Sequence, residues 1–168
     1  RMSEWVDLAV CVNQRWAQLL RENTTMQNIV VNHLGVDCRS ITRRPRRRES
    51  RREVLFVGRM TEKKGFDHLI AAVEILSRHG STVRVHAVGN GPLLSAYQDK
   101  VRALKLEEQF IFHGEQSHAV VLSLMGEADV LVAPSVTAAD GDQEGIPVVL
   151  MEGMARGIPV VSTRHSGI

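Results

Sequence analysis

From residue 54 onward the chain alternates short runs of β-branched and other apolar residues with longer stretches in which apolar residues recur every three or four positions. "EVLFVGRM" predicts a strand ending at Gly58. "FDHLIAAVEILSRHG" predicts a helix that buries Leu69, Ile70, Val73, Ile75 and Leu76 and stops at Gly80. "TVRVHAVGNG" predicts a second strand, Pro92 to about Leu106 a helix, "QFIFHG" a third strand and "HAVVLSLMGEA" a helix. "DVLVAPS" follows as a fourth strand, "PVVLMEGMARG" as a helix and "IPVVST" as a fifth strand. These strands read as nearly continuous apolar runs rather than as alternating ones, which is the pattern of a parallel sheet covered on both faces. The expected fold is therefore α/β, a Rossmann-like parallel sheet with helices on both faces.

Before that region, "DLAVCVN" and "NIVVNHLGVD" predict two more strands around a helix through "QRWAQLLREN". Between the two parts lies "RRPRRRESRR", Arg43 to Arg52, with seven arginines in ten residues. Like charges repel and resist packing, so such a run is ordinarily a solvated connector. Residues 1–40 are accordingly read as the end of one domain, 41–53 as an Arg-rich linker, and 54–168 as a second domain. The run also suits an anionic membrane surface. Nucleic acid is not an expected partner, because no aromatic residue is interleaved with these arginines to stack on bases.

The remaining composition narrows the class. A chain of 168 residues with 43% hydrophobic residues can bury a real core as one domain, or as one domain plus a piece of another. No stretch of about 18 apolar residues appears, and the acidic residues in "RMSEWVDLAV" do not suit a secretory signal. A cytoplasmic location follows as the expectation, peripheral at the inner face of the membrane if the arginine run engages lipid. The start at Arg1 and the stop just after "SGI", in the middle of a turn, suggest an excised fragment. Cys11 and Cys38 are too few for a disulfide framework and are expected to be buried structural thiols. The seven histidines show no pair at i, i+4, so metal binding through them is not expected.

In an open parallel sheet, ligands bind beyond the carboxyl ends of the strands. Four turns qualify: "GRMTEKKG", "GNGP", "HGEQSH" and "PSVTAADGDQEGIP". In the first, Arg59 and Lys64 could together neutralise a diphosphate, although a basic loop standing alone is more often a plain surface loop. "GNGP" lacks the third glycine of a dinucleotide fingerprint. In the last, Pro147 suits the first position of a helix, which places Glu144 just before the helix and Glu152 on its second turn. Two carboxylates flanking a positive helix end can accept hydroxyls on either side of a phosphate, the layout of a nucleoside diphosphate sugar. The blander reading makes Glu144 a helix-start charge and Glu152 a partly exposed helical residue. Against it stands the apolar setting "VVLMEGMARGIPVV", where an unpartnered charge is costly.

These segments resemble a known family. "VLFVGRMTEKKGFDHLIAAVEIL", "VGNGPLLSAY", "FIFHGEQSH", "ADVLVAPS" and "EGIPVVLMEGMARGIPVVSTRHSGI" are similar, in order, to the C-terminal half of retaining GT-B glycosyltransferases of family four, the glycosyl transferases group one. Residues 5–37 resemble the end of that family's N-terminal domain. The glutamate pair with seven residues between is the most specific element, followed by "GR" with "KKG". The wording of "PSVTAADGDQEGIPVVLMEGMA" is especially similar to enzymes of bacterial exopolysaccharide assembly, of the colanic acid type.

The resemblance implies a fragment that binds a nucleotide-diphosphate sugar, UDP- or GDP-linked, with no further cofactor and no metal. Arg59 and Lys64 would hold the diphosphate and stabilise the leaving nucleotide. Glu144 would bond hydroxyls of the transferred sugar and Glu152 those of the ribose. The backbone N–H groups of Gly145 and Ile146 would approach sugar and phosphates, and Gly58 and Gly114 would shape the turns near diphosphate and base. Two departures stand out: Pro147 removes an N–H that the family often supplies, and Ile146 replaces a frequent aromatic. The sugar or lipid-linked acceptor would bind through the N-terminal domain, so the fragment alone is expected to transfer nothing. A nucleotide-sugar epimerase or phosphorylase of the same architecture, and a non-catalytic nucleotide-binding module, are the rival readings.

Overall fold

The computed structural model describes residues 6–38, 52–165 and 168. Most of the arginine run lies outside the described residues. The first unit is β1 (Ala9–Cys11), α1 (Gln14–Asn23) and β2 (Ile29–Val31). β1 and β2 pair in parallel, and Cys11, Ala17 and Ile29 form a small core of their own beneath α1. Asn13 starts α1 by accepting the Trp16 N–H at 2.9 Å, satisfying one of the donors a helix start leaves over. Cys11 is buried as expected, but Cys38 is exposed, since it lies past the end of β2.

The second unit runs β3 (Arg52–Val57), α2 (Phe66–Arg78), β4 (Val83–Val88), α3 (Leu94–Ala103), β5 (Phe110–Gly114), α4 (His118–Glu127), β6 (Val130–Ala133), α5 (Val148–Ala155) and β7 (Val160–Ser162). All five strands pair in parallel, in the order β5-β4-β3-β6-β7. The Rossmann-like expectation is thus met. β3 begins two residues inside the expected linker, because Arg52 and Glu53 pair with Val83 and Arg84.

Side chains of adjacent strand residues leave opposite faces, and both faces are covered here. Val54 and Phe56 of β3 join a core with Phe66, Ile70, Val73, Val85, Tyr97 and Val101, whereas Leu55 joins Val121, Met125, Leu131 and Leu150. Phe66 is the centre of the first core, with ring centroids 4.7 Å from Phe56 and 5.1 Å from Tyr97. On α2 the buried positions are Phe66, Leu69, Ile70 and Val73, a single stripe at three- and four-residue spacing. Ile75 and Leu76, expected inside, are 56% and 40% exposed. Ile75 lies off the stripe, which continues to Ser77, where the hydroxyl meets the Gln109 amide at 3.2 Å.

The chain builds outward from β3 to β5 and then returns to lay β6 and β7 on the other side of β3. The carboxyl ends of β3 and β6 therefore flank the point where the strand order reverses, the place where a parallel sheet opens a crevice. A single turn of 3-10 helix, Glu62–Lys64, fills the loop after β3 and ends on Gly65 at φ 63°. A Cβ at Gly65 would lie 1.8 Å from the carbonyl oxygen of Pro134, just after β6, so only glycine lets the two loops meet this closely.

Candidate functional site

The loop after β6, from Pro134 to Pro147, has no strand or helix of its own and depends on side contacts for its shape. The 3-10 turn after β3 supplies several of them. Val136 N–H donates to the Lys63 carbonyl at 2.9 Å, and Ala139 N–H donates to Glu62 Oε1 at 3.0 Å. Lys63 Nζ reaches Asp142 at 2.9 Å, and Lys64 Nζ is ion-paired with Glu144. The two consecutive lysines thus clip positions 142 and 144 of the facing loop. Lys64 and Glu144 are 23% and 14% exposed, which makes theirs the more sheltered pair.

Gly58 lies beneath this contact. A Cβ there would come 3.3 Å from Lys64 Cδ, so the bare backbone gives the lysine stem its path. Arg59, the next residue, is exposed and forms no ion pair among the described residues. It borders a cleft of about 590 Å³ lined by Val57, Gly58, Arg59, Gly89, Asn90, Glu115 and Gln116 among others. Backbone bonds stitch its floor: Gly58 N–H to Val88 O, Gly89 N–H to Gly114 O and Met60 N–H to Asn90 O, at 2.8–3.0 Å. Gly114, at φ 66°, acts here as the turn that ends β5.

α5 begins at Val148, with Pro147 as its cap in extended conformation at ψ 109°, one residue later than expected. No side chain caps this end. Among the described residues the N–H groups of Gly145 and Ile146 have no internal acceptor. Together with the first helical turn they leave a set of donors just past Glu144. Glu152, on the second turn of α5, is 18% exposed and meets His118 Nε2 at 2.8 Å. Ser117 caps α4 by accepting Val120 N–H, which sets His118 as the first helical residue, opposite α5.

The structure therefore brings Lys64 and Glu144 into contact, sets Gly58 beside the Lys64 stem and Arg59 on the cleft rim, and gives Glu152 a separate partner. His118 and Asp142 were not singled out from the sequence, nor was His165, whose Nε2 accepts the Glu144 N–H at 3.0 Å. Their signal was weak: His118 and Asp142 lie in turns that the strand pattern marks as ligand-facing and His165 follows the last strand outside those four turns, but pairing across elements has no local period. Each glutamate is engaged by its own basic partner, Glu144 by Lys64 and Glu152 by His118.

The family model described as glycosyl transferases group 1 matches residues 39–168. Over 164 residues the chain is 39% identical to a protein of Escherichia coli (strain K12) named for colanic acid biosynthesis as the glycosyltransferase WcaL, covering 96% of this chain and 40% of that one. It is 38% identical over 146 residues to the amylovoran biosynthesis glycosyltransferase AmsK of Erwinia amylovora, covering 87% of this chain and 34% of the other. The chain thus spans well under half the length of these relatives. Among solved structures, S. aureus TarM in a complex that includes UDP superposes with a TM-score of 0.80 at 18% identity, covering 99% of this chain and 32% of TarM. Anabaena HepE in complex with UDP and glucose gives a TM-score of 0.77 at 19% identity over 99% of this chain and 47% of HepE. These distant matches establish the fold. A parallel five-stranded sheet in Rossmann-like order and a family match over most of its length show that this chain belongs to the glycosyl transferases group 1 family, with the fold of a GT-B half.

Proposed function

We propose that this chain is the donor-binding half of a transferase that moves a sugar from a nucleoside diphosphate to an acceptor in bacterial polysaccharide or glycoconjugate assembly. Residues 52–168 form the donor domain in this reading, with β3 as its first strand, 41–51 the linker and 1–40 the end of the acceptor-side domain. The observation that carries it is the meeting of Lys64 and Glu144 at the reversal point of the sheet, with Arg59 on the adjacent cleft rim. Arg59 and Lys64 supply fixed positive charge to the diphosphate, which stabilises the nucleotide as it leaves without a metal ion. On donor binding Lys64 is shared between Glu144 and phosphate. Glu144 accepts hydroxyls of the transferred sugar, the N–H groups of Gly145 and Ile146 donate beside it, and Glu152 accepts ribose hydroxyls. Gly58 and Gly114 hold the turns that leave room for diphosphate and base.

UDP is the first nucleotide to try, since TarM and HepE carry it in their solved complexes. Calorimetric titration of the folded chain with UDP and GDP tests the assignment. Binding of one of them should weaken at least about tenfold in R59A/K64A, because two charge-assisted contacts are lost. A folded sample that binds neither, or binds equally well after both substitutions, refutes it. The Arg43 to Arg52 run is proposed as a contact for the anionic membrane face where lipid-linked acceptors lie. Replacing its arginines with glutamine should abolish sedimentation with anionic vesicles, and unchanged sedimentation would remove that part of the proposal.

A further inference from the structure

The end of β7 and the loop after it make three contacts with the end of β6 and the loop that carries Glu144. Ser162 Oγ donates to the Ala133 carbonyl at 2.7 Å, and the Thr163 hydroxyl donates to the Ser135 carbonyl. The third is the Glu144 N–H, which donates to His165 Nε2 at 3.0 Å. A backbone amide can only donate, so Nε2 must present its lone pair and the ring proton belongs on Nδ1. His165 is therefore held as one neutral tautomer, determined by the bond it accepts.

Glu144 is thereby held from opposite loops, its carboxylate by Lys64 and its peptide by His165. The carboxylate contact must yield when a donor brings its own charge and hydroxyls. The peptide contact need not, because neither the Glu144 N–H nor His165 is among the groups assigned to the donor above. In a loop without regular structure this is the anchor that can persist through binding and reaction. It also fixes the chain direction into Gly145 and Ile146, whose N–H groups follow at once.

We propose that His165 is a positioning residue. Its neutral imidazole locks the Glu144 peptide and so holds the carboxylate, and the two N–H groups after it, in the arrangement used for the transferred sugar. This rests on the reading of Glu144 as a sugar-binding carboxylate. A displacement of about 1 Å at such a group costs on the order of a hundredfold in rate, so loosening the anchor should act on turnover more than on nucleotide affinity.

The test uses H165Q, H165M and E144Q in the full-length protein, with kcat and donor KM measured alongside UDP and GDP affinity and thermal melting. Glutamine keeps an acceptor near the Nε2 position, whereas methionine fills similar space and offers almost none. H165M should lower kcat by about tenfold or more with nucleotide affinity within about twofold, and H165Q should recover most of the loss. E144Q should be impaired in kcat as well. If E144Q is unimpaired, the reading of Glu144 fails and this inference with it. If E144Q is impaired but H165M turns over normally, or H165Q is as slow as H165M, the positioning role alone is refuted. A measurement free of any variant covers the case in which H165M does not fold. In nitrogen-15-labelled wild-type protein, His165 should carry its proton on Nδ1, and the opposite tautomer overturns the proposal.

Discussion

Lys64, in the turn after β3, is ion-paired with Glu144, in the loop after β6, across the point where the order of the sheet reverses. Both are mostly sheltered, so each charge depends on the other more than an exposed pair would. K64A takes the cation away from a sheltered carboxylate and should lower stability by about 1–3 kcal/mol without any ligand present. E144Q added to K64A should restore part of that, since a neutral amide tolerates the loss of the cation. Urea unfolding of the two single variants and the double variant measures the coupling, and strictly additive losses would show that the pair contributes nothing.

Gly65 and Gly80 separate two effects of glycine. Both have positive φ, 63° and 75°, but a Cβ at Gly65 would strike Pro134 O at 1.8 Å, whereas at Gly80 nothing lies within 4 Å. G80A should cost about 1 kcal/mol, the strain of a left-handed residue alone. G65A should cost about 3 kcal/mol or more and weaken ligand binding, because the β3 and β6 loops must part. Equal shifts in the urea midpoint would show that the loops separate at little cost.

His118 anchors Glu152 at 2.8 Å, and most of the histidine side chain is exposed, so its removal should leave the core intact. In the proposed donor site H118A is expected to weaken nucleotide affinity several-fold, with a melting temperature close to wild type. The effect should be absent in an E152Q background. Titration of all three variants decides this, and an H118A loss that persists beside E152Q would show that His118 acts by another route.

On the sheet face, His113 Nε2 and His86 Nδ1 are 2.9 Å apart, and His86 Nε2 meets Glu53 at 2.9 Å. Burial first, and the neighbouring His86 second, hold the His113 imidazole below its ordinary value of 6.5. As pH falls the unfolded chain is then the first to take the proton, so it binds more protons and native stability drops. This contribution is fully present above about pH 6.5 and is lost as pH falls below that value. H113Q keeps a donor for His86 but cannot titrate. Its melting temperature should decline less than that of wild type between pH 7 and pH 5, and parallel declines would exclude His113 as the cause.

The alternation of apolar runs with three- and four-residue periods determined the element order, because strand and helix periodicity are local properties of the side-chain pattern. Continuous apolar strands further implied a parallel sheet, and turns after strands implied where ligands meet it. Glu144, Glu152, Arg59 and Lys64 could be picked out because charged residues stand in or beside segments that otherwise read as buried. Which charge meets which could not be read this way. The Lys64–Glu144 and His118–Glu152 pairs, and the His165 anchor, join residues far apart in sequence, and only the crossing from β3 to β6 and the packing of α4 beside α5 bring them together. Leu76 and Cys38 teach the same lesson in reverse: an apolar or thiol side chain carries a preference for the interior, but the extent of the neighbouring layer decides whether an interior exists at that position.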